Sequence, residues 1–364
     1  MKPTYLKSLA LHVCAIVTGM HAAEACTAIT LRAEDGSYVQ ARTMEWGSFD
    51  LQSDLIIVPR GHKFTGVTPD GKPGHQWSAT HGVFGINGLG RPDITDGMNE
   101  KGLAVSLLYL PGVAEYQPYD PAEADKAISP MQVGNWLLTT CASTAELREK
   151  LPTIKVVPVP EEAIGGIPAP MHFLVSDPTG ETVVVEYTDK KLHIYDNPVG
   201  VMTNSPQFPW HLTNLANYLF LKQEAVGPVK VGDLELNPIG SGSGMLGLPG
   251  DFTPTSRFVR AVAYRNTVPE LKNGGRAIEE SFRILNNFDI PIGSMGAEED
   301  PAVLGDTQWT TAMDTKALHY YYRTMHNHRI RVVDLNSIDF ASGKLRTHPL
   351  DEAKEQDYER IDFK

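Results

Sequence analysis

The chain has 364 residues, of which 41% are hydrophobic and 21% charged, and its formal net charge is −12. That composition belongs to a globular protein with a full core, and the length allows one large domain or two. An acidic chain repels polyanions, so nucleic acid is excluded as an expected partner.

The N-terminus carries Lys2 and Lys7, then the apolar run LALHVCAIVTGM, then Ala23-Glu24-Ala25. A basic start, an apolar run too short to span a bilayer and an A-x-A cut site are the three parts of a secretory signal peptide. The expectation is a leader over residues 1–25, cleaved before Cys26, and a periplasmic or secreted protein. An N-terminal amphipathic or core helix is the plainer alternative. No later segment is apolar enough for a membrane span. Cys14 leaves with the leader, and Cys26 and Cys141 remain. Two thiols do not make a disulfide framework. Cys141 closes the apolar run NWLLTTC and reads as a small buried hydrophobe. Cys26 is then a lone thiol that needs a job in an oxidising compartment.

After Cys26, Thr27–Arg32 alternates as a strand, Glu34-Asp35-Gly36-Ser37 turns, and Tyr38–Arg42 returns. Asp-Gly between two such runs marks a hairpin. With Asp35-Gly36 as a two-residue turn, Cys26 faces Glu45, and Arg42 lies within a pair or two of Cys26. Arg42 and Glu45 cannot then share a face unless the strand bulges or bends near Glu45. Further strands are expected at Leu55–Val58, Gly102–Leu108, His172–Ser176, Thr182–Tyr187, Leu192–Tyr195, Trp309–Met313, Leu318–Arg323 and Ile330–Leu335. Ser129-Pro130 opens a helix through Thr140, and the capping box Ser143-Thr144-Ala145-Glu146 opens a second one, with Leu147 and Leu151 on one face. Leu212–Gln223, Phe258–Arg265 and Ala277–Asn287 also read as helices. Strands and helices mix throughout without repeat or linker, so residues 26–364 read as a single α+β domain with a loosely held polar tail.

Three patterns carry little. Gly242-Ser243-Gly244-Met245-Leu246-Gly247 matches G-x-G-x-x-G, but it follows Asn237-Pro238 rather than a strand, so it reads as a loop. His326 and His328 have no spaced Cys or carboxylate beside them, and no metal is expected. Tyr320-Tyr321-Tyr322 reads as strand packing.

Cleavage after Ala25 makes Cys26 the first residue. A free α-amine has a pKa near ~7.7–8.0, well below lysine, so part of it is neutral at pH 7. One residue then supplies both nucleophile and general base. A nearby positive charge favours the thiolate, and Arg42 is the candidate. Lipid attachment at Cys26 is the rival reading. It would make the chain an exported lipoprotein or binding protein, but charged Glu24 suits an A-x-A cut better.

Five blocks now stand in order: Cys26 after a leader, Ala41-Arg42-Thr43-Met44-Glu45-Trp46, Asp96-Gly97-Met98-Asn99-Glu100-Lys101-Gly102-Leu103, Val201-Met202-Thr203-Asn204-Ser205-Pro206, and Leu248-Pro249-Gly250-Asp251 with Ser256-Arg257-Phe258. Together they resemble the choloylglycine hydrolase family, which contains the bile salt hydrolases and penicillin V acylases. These are N-terminal nucleophile hydrolases, and the ARTMEWG form resembles the Gram-negative branch. The resemblance implies a four-layer αββα sandwich, with two antiparallel sheets between helix layers. It also implies a homotetramer, no cofactor and a small-molecule acyl-amide substrate. By resemblance Cys26 is nucleophile and base, Arg42 sits beside the thiol, and Arg257 is the second arginine of the site. The Asn204 amide and the Tyr109 backbone N–H form the oxyanion hole. Glu45 occupies a slot where many members carry Asp to hold the α-amine. Trp46 either walls the acyl pocket or packs in the core. Tyr109 tilts the expected substrate toward penicillin V, with conjugated bile salts and N-acyl homoserine lactones as alternatives.

Overall fold

The computed structural model describes residues 25–294 and 307–363, so the expected leader lies outside the described residues apart from Ala25. The chain begins with β1 (Thr27–Arg32) and β2 (Tyr38–Glu45), continues with β3 (Asp54–Val58), and adds a side hairpin of β4 (Lys63–Val67) and β5 (Pro73–Ser78). Then come β6 (Val83–Gly88), β7 (Arg91–Asn99), β8 (Ala104–Tyr109), α1 (Val133–Thr140) and α2 (Thr144–Lys150). The middle of the chain holds β9 (Met171–Ser176), β10 (Thr182–Thr188), β11 (Lys191–Asp196), β12 (Val201–Met202) and α3 (Phe208–Asn214). A small hairpin, β13 (Val229–Val231) and β14 (Leu234–Leu236), precedes α4 (Pro254–Thr267) and α5 (Gly274–Leu285). The chain closes with β15 (Thr307–Asp314), β16 (His319–Thr324), β17 (Arg331–Asp334) and β18 (Arg346–Pro349).

These strands form two large sheets. One runs β12-β1-β2-β15-β16-β17 and the other β11-β10-β9-β8-β7-β6-β3-β18, with all large-sheet pairings antiparallel. Side chains from the two inner faces meet. Gln40 on β2 donates to Ser106 on β8 at 2.8 Å, and Thr311 and Tyr320 donate to Asp96 on β7 at 2.8 and 2.7 Å. Helices α4 and α5 cover the outer face of the first sheet, and α1 covers β7 and β8 of the second. This is the four-layer αββα sandwich that the sequence resemblance implies.

The first hairpin corrects an expectation. Its pairs are Arg32↔Tyr38 through Thr27↔Thr43, one residue off the two-residue-turn register. The loop is three residues long, and Gly36 takes φ +84°, where a side chain would be strained. Cys26 therefore lies next to Met44 rather than Glu45. The third helix also differs. It begins at Phe208, four residues before the expected Leu212, and gives way after Asn214 to a short 3₁₀ turn through Tyr218. The apolar spacing misled, because Leu219 is 84% exposed. The G-x-G-x-x-G run is a loop with one 3₁₀ turn, as expected. Cys141 is buried, and burial pushes its thiol up to about 11.

Candidate active site

Cys26 immediately precedes β1. Ala25 precedes Cys26 in the chain, so its nitrogen is an amide N–H. That N–H donates to Asn204 Oδ1 at 2.9 Å. The thiol points between the sheets, 4.0 Å from Met44 Sδ. Arg42, two residues before Met44 on the same face of β2, brings Nη2 to 2.9 Å from the sulfur. The arginine is fixed by the Leu107 carbonyl of the opposite sheet at 2.8 Å, and its plane lies 5.0 Å from the Trp309 ring centroid. Burial pushes the Cys26 thiol up, and the Arg42 charge opposes that.

Asn204 follows β12 and joins the cluster from a third direction. Its Oδ1 also accepts from Arg257 Nη2 at 2.6 Å, and its Nδ2 donates to the Tyr109 carbonyl at 2.8 Å. Arg257 comes from α4, where it is fully buried, and also donates to the Cys26 carbonyl and to Thr27 Oγ1. Burial lowers its pKa to about 10 while Glu45 opposes the shift. Cys26, Arg42, Tyr109, Asn204 and Arg257 are thus brought together from five separated stretches of the chain.

The Glu45 backbone N–H reaches the thiol and the charge of its carboxylate pushes the thiol up, but its side chain points elsewhere. It is 1% exposed and lies on the outer face of β2, so it does not share a face with Arg42. A β-bulge is present nearby, on β15 rather than β2: Thr307 pairs with Glu45 and Trp309 with Met44, leaving Gln308 extra. Glu45 Oε1 receives a long bond of 3.4 Å from Thr307, and Oε2 has no partner among the described residues. Burial raises its pKa to about 8, with Arg257 pulling the other way.

A cavity of about 540 Å³, open mouth included, adjoins the thiol. Met44, Trp46, Leu107, Tyr109, Met131 and Met171 line it. Trp46 both lines this cavity and packs edge-on against Tyr109 at 5.6 Å. Sequence reasoning missed Met44, Trp309 and Gln308. Met44 follows from alternation with Arg42 once the hairpin register is right. Gln308 sits in a bulge, which strand periodicity does not reveal.

A family model describing linear amide C–N hydrolases of the choloylglycine hydrolase family matches residues 26–348. The chain belongs to the choloylglycine hydrolase family. It is therefore a hydrolase acting on linear amide C–N bonds. A bile salt hydrolase/transferase of Clostridium perfringens is 34% identical, covering 89% of this chain and 96% of that protein. A crystal structure of the conjugated bile acid hydrolase of Clostridium perfringens superposes with a TM-score of 0.79 at 32% identity, covering 93% of this chain and 100% of the other. The penicillin V acylase of Agrobacterium tumefaciens superposes with a TM-score of 0.70 at 26% identity, covering 88% and 90% of the two chains. In this choloylglycine hydrolase family member the matched span begins at Cys26, the residue around which the site is built.

Proposed function

We propose that this protein is an exported N-terminal cysteine amidohydrolase that works through a thioester. The carrying observation is the 2.9 Å approach of Arg42 to the Cys26 sulfur, beside the Asn204 amide and at the mouth of an apolar cavity. Removal of residues 1–25 frees the Cys26 amine. The thiol then attacks the amide carbonyl as the amine takes its proton. The oxygen gains negative charge, for which the Asn204 Nδ2 hydrogen not held by Tyr109 and the Tyr109 backbone N–H are the donors. The C–N bond breaks as the amine passes the proton to the leaving nitrogen. Water then attacks the thioester, the amine takes a proton from it, and that proton returns to the sulfur as the acid leaves.

The acyl group proposed is largely apolar, of the phenoxyacetyl type of penicillin V. Most of the cavity wall is methionine, leucine and aromatic side chains, with Thr95 and Glu161 as its polar members, so a largely apolar acyl group suits it best. Conjugated bile salts are the second reading, favoured by the 34% identity to a bile salt hydrolase/transferase. A turnover panel of the processed enzyme on penicillin V, glycocholate, taurocholate and long-chain acyl homoserine lactones tests both. Fastest turnover of either bile salt overturns the apolar-acyl reading. A homo-oligomer is also proposed, because the β13–β14 hairpin exposes Val229, Val231, Leu234 and Leu236 together.

A further inference from the structure

We propose that His172, Glu186 and His211 are positioning residues that hold the Thr203–Asn204 backbone so that the Asn204 amide faces the reacting carbonyl. The inference rests on the reading of Asn204 as an oxyanion donor.

Asn204 lies in a connection between β12 and α3, where a chain usually runs over the surface and is mobile. Here Thr203 and Asn204 are each 1% exposed. Buried carbonyls need donors. Two buried histidines supply them: His172 Nε2 lies 2.9 Å from the Thr203 carbonyl, and His211 Nε2 lies 2.9 Å from the Asn204 carbonyl. A carbonyl can only accept, so both Nε2 atoms carry hydrogen.

The two arms share one anchor. His172 Nδ1 lies 3.1 Å from Glu186 Oε1 on the neighbouring strand β10. The same carboxylate accepts the Phe208 N–H at 3.0 and 3.2 Å, at the first residue of α3. Helix α3 carries His211 one turn later. Glu186 therefore fixes Thr203 through His172 and Asn204 through α3. The His211 ring stacks on Phe258, with centroids 4.6 Å apart and an interplanar angle of 19°. Phe258 adjoins Arg257, which grips the Asn204 side chain. His211 Nδ1 has no partner among the described residues, and burial lowers its pKa to about 4, so the ring is neutral.

Stability alone does not explain this set. Two imidazoles and a carboxylate cost desolvation free energy that packed apolar side chains avoid. What they provide is placement. Asn204 already spends Oδ1 on Cys26 and Arg257 and one Nδ2 hydrogen on Tyr109, so a single hydrogen remains to meet the oxyanion. A backbone shift of about 1 Å misplaces it, which can cost roughly a hundredfold in rate.

The experiment is a double-mutant cycle on the processed enzyme, with the fastest substrate of the panel. His211→Phe keeps the stack on Phe258 and deletes the donor, while His211→Gln restores a donor. The expectation is a kcat lower by about tenfold or more in His211→Phe, with little change in KM. Most of that loss returns in His211→Gln. Placed on Asn204→Ala, His211→Phe costs nothing further, because its effect passes through the missing amide. An undiminished loss in the Asn204→Ala background, or Gln no better than Phe, overturns the inference. His172→Gln against His172→Phe repeats the comparison if His211→Phe melts below assay temperature. If Asn204→Ala itself leaves kcat intact, the oxyanion reading fails and takes the inference with it. If Asn204→Ala lowers kcat by its expected ~10²–10³ and the histidine variants do not, only the inference fails.

Discussion

At the scale of single residues, the site is decided by competition between burial and charge. Burial of the Cys26 sulfur outweighs the Arg42 guanidinium, so the resting group is a thiol, not a standing thiolate. In the proposed mechanism the nucleophile is therefore made at the moment of attack, which is why a base on the same residue matters. In that mechanism Arg42, 2.9 Å from the sulfur, stabilises its developing charge, and hydrogen bonds to charged groups contribute about 1.5–3 kcal/mol. Arg42→Leu should accordingly lower kcat/KM by roughly 10- to 150-fold, and the alkylation rate of Cys26 measured against pH should fall in parallel. Glu45 gives a pH signature in the uncleaved chain. Burial raises its folded pKa to about 8, above the ordinary glutamate value of 4.5, so the folded state holds a proton that the unfolded state loses first. Stability from this group is present below the unfolded value and is lost as pH rises through 8. Thermal melts between acid and mildly alkaline pH should show a shallower decline in Glu45→Gln than in the parent. An equal decline would mean that Glu45 ionises freely. In the chain that still carries Ala25, the Cys26 N–H goes to Asn204 rather than to this carboxyl.

At the scale of elements, strands were legible where residue types alternate or β-branched residues run together, even where both faces are buried as in β1 and β10. β1 and β16 alternate and were read nearly to their ends. β6 (VFGING) and the second half of β7 (TDGMN) are interrupted by glycines, which weaken a strand signal, and were not found. The hairpin register was misread because Asp-Gly suits both a two-residue turn and a three-residue loop ending in a left-handed glycine. The bulge at Gln308 has a further effect. Its amide accepts the Leu51 N–H at 3.0 Å and donates to the Trp46 and Phe49 carbonyls at 2.7 Å each. That side chain thus fastens the loop carrying two cavity-lining residues, Trp46 and Leu51. Gln308→Leu strands three buried backbone groups, at about 1–3 kcal/mol each if none finds water. It should lower the melting temperature and raise KM for apolar acyl substrates more than it lowers kcat. A change confined to kcat would place Gln308 in another role.

At the scale of the whole molecule, polar side chains join the two sheets. Asp96 accepts from Ser106 in its own sheet at 2.6 Å and from Thr311 and Tyr320 across the gap. Burial raises its pKa while Arg42 opposes the shift, so the network lies within the field of the catalytic cluster. Tyr320→Phe leaves Asp96 one donor short and should cost about 1–3 kcal/mol in denaturant unfolding. The tyrosine run was read as strand packing, and Tyr320 is that and a hydrogen-bond donor besides. Gathering Cys26, Arg42, Asn204 and Arg257 at one point was not legible from local pattern, since their separations of 16 to 231 residues close only in the folded sandwich. It was legible only through family resemblance, which also supplied the layer order. The histidine clamp behind Asn204 escaped both, because lone buried histidines leave no spacing signal. The central claim is that a processed Cys26 forms a thioester with the acyl half of an amide. The most direct test is intact-mass measurement of acid-quenched enzyme during turnover of the best panel substrate, followed by peptide mapping. The account predicts an N-terminal Cys26 peptide carrying one acyl group, released by hydroxylamine and absent in Cys26→Ala. An acyl group on any other residue, or turnover by Cys26→Ala, would contradict it.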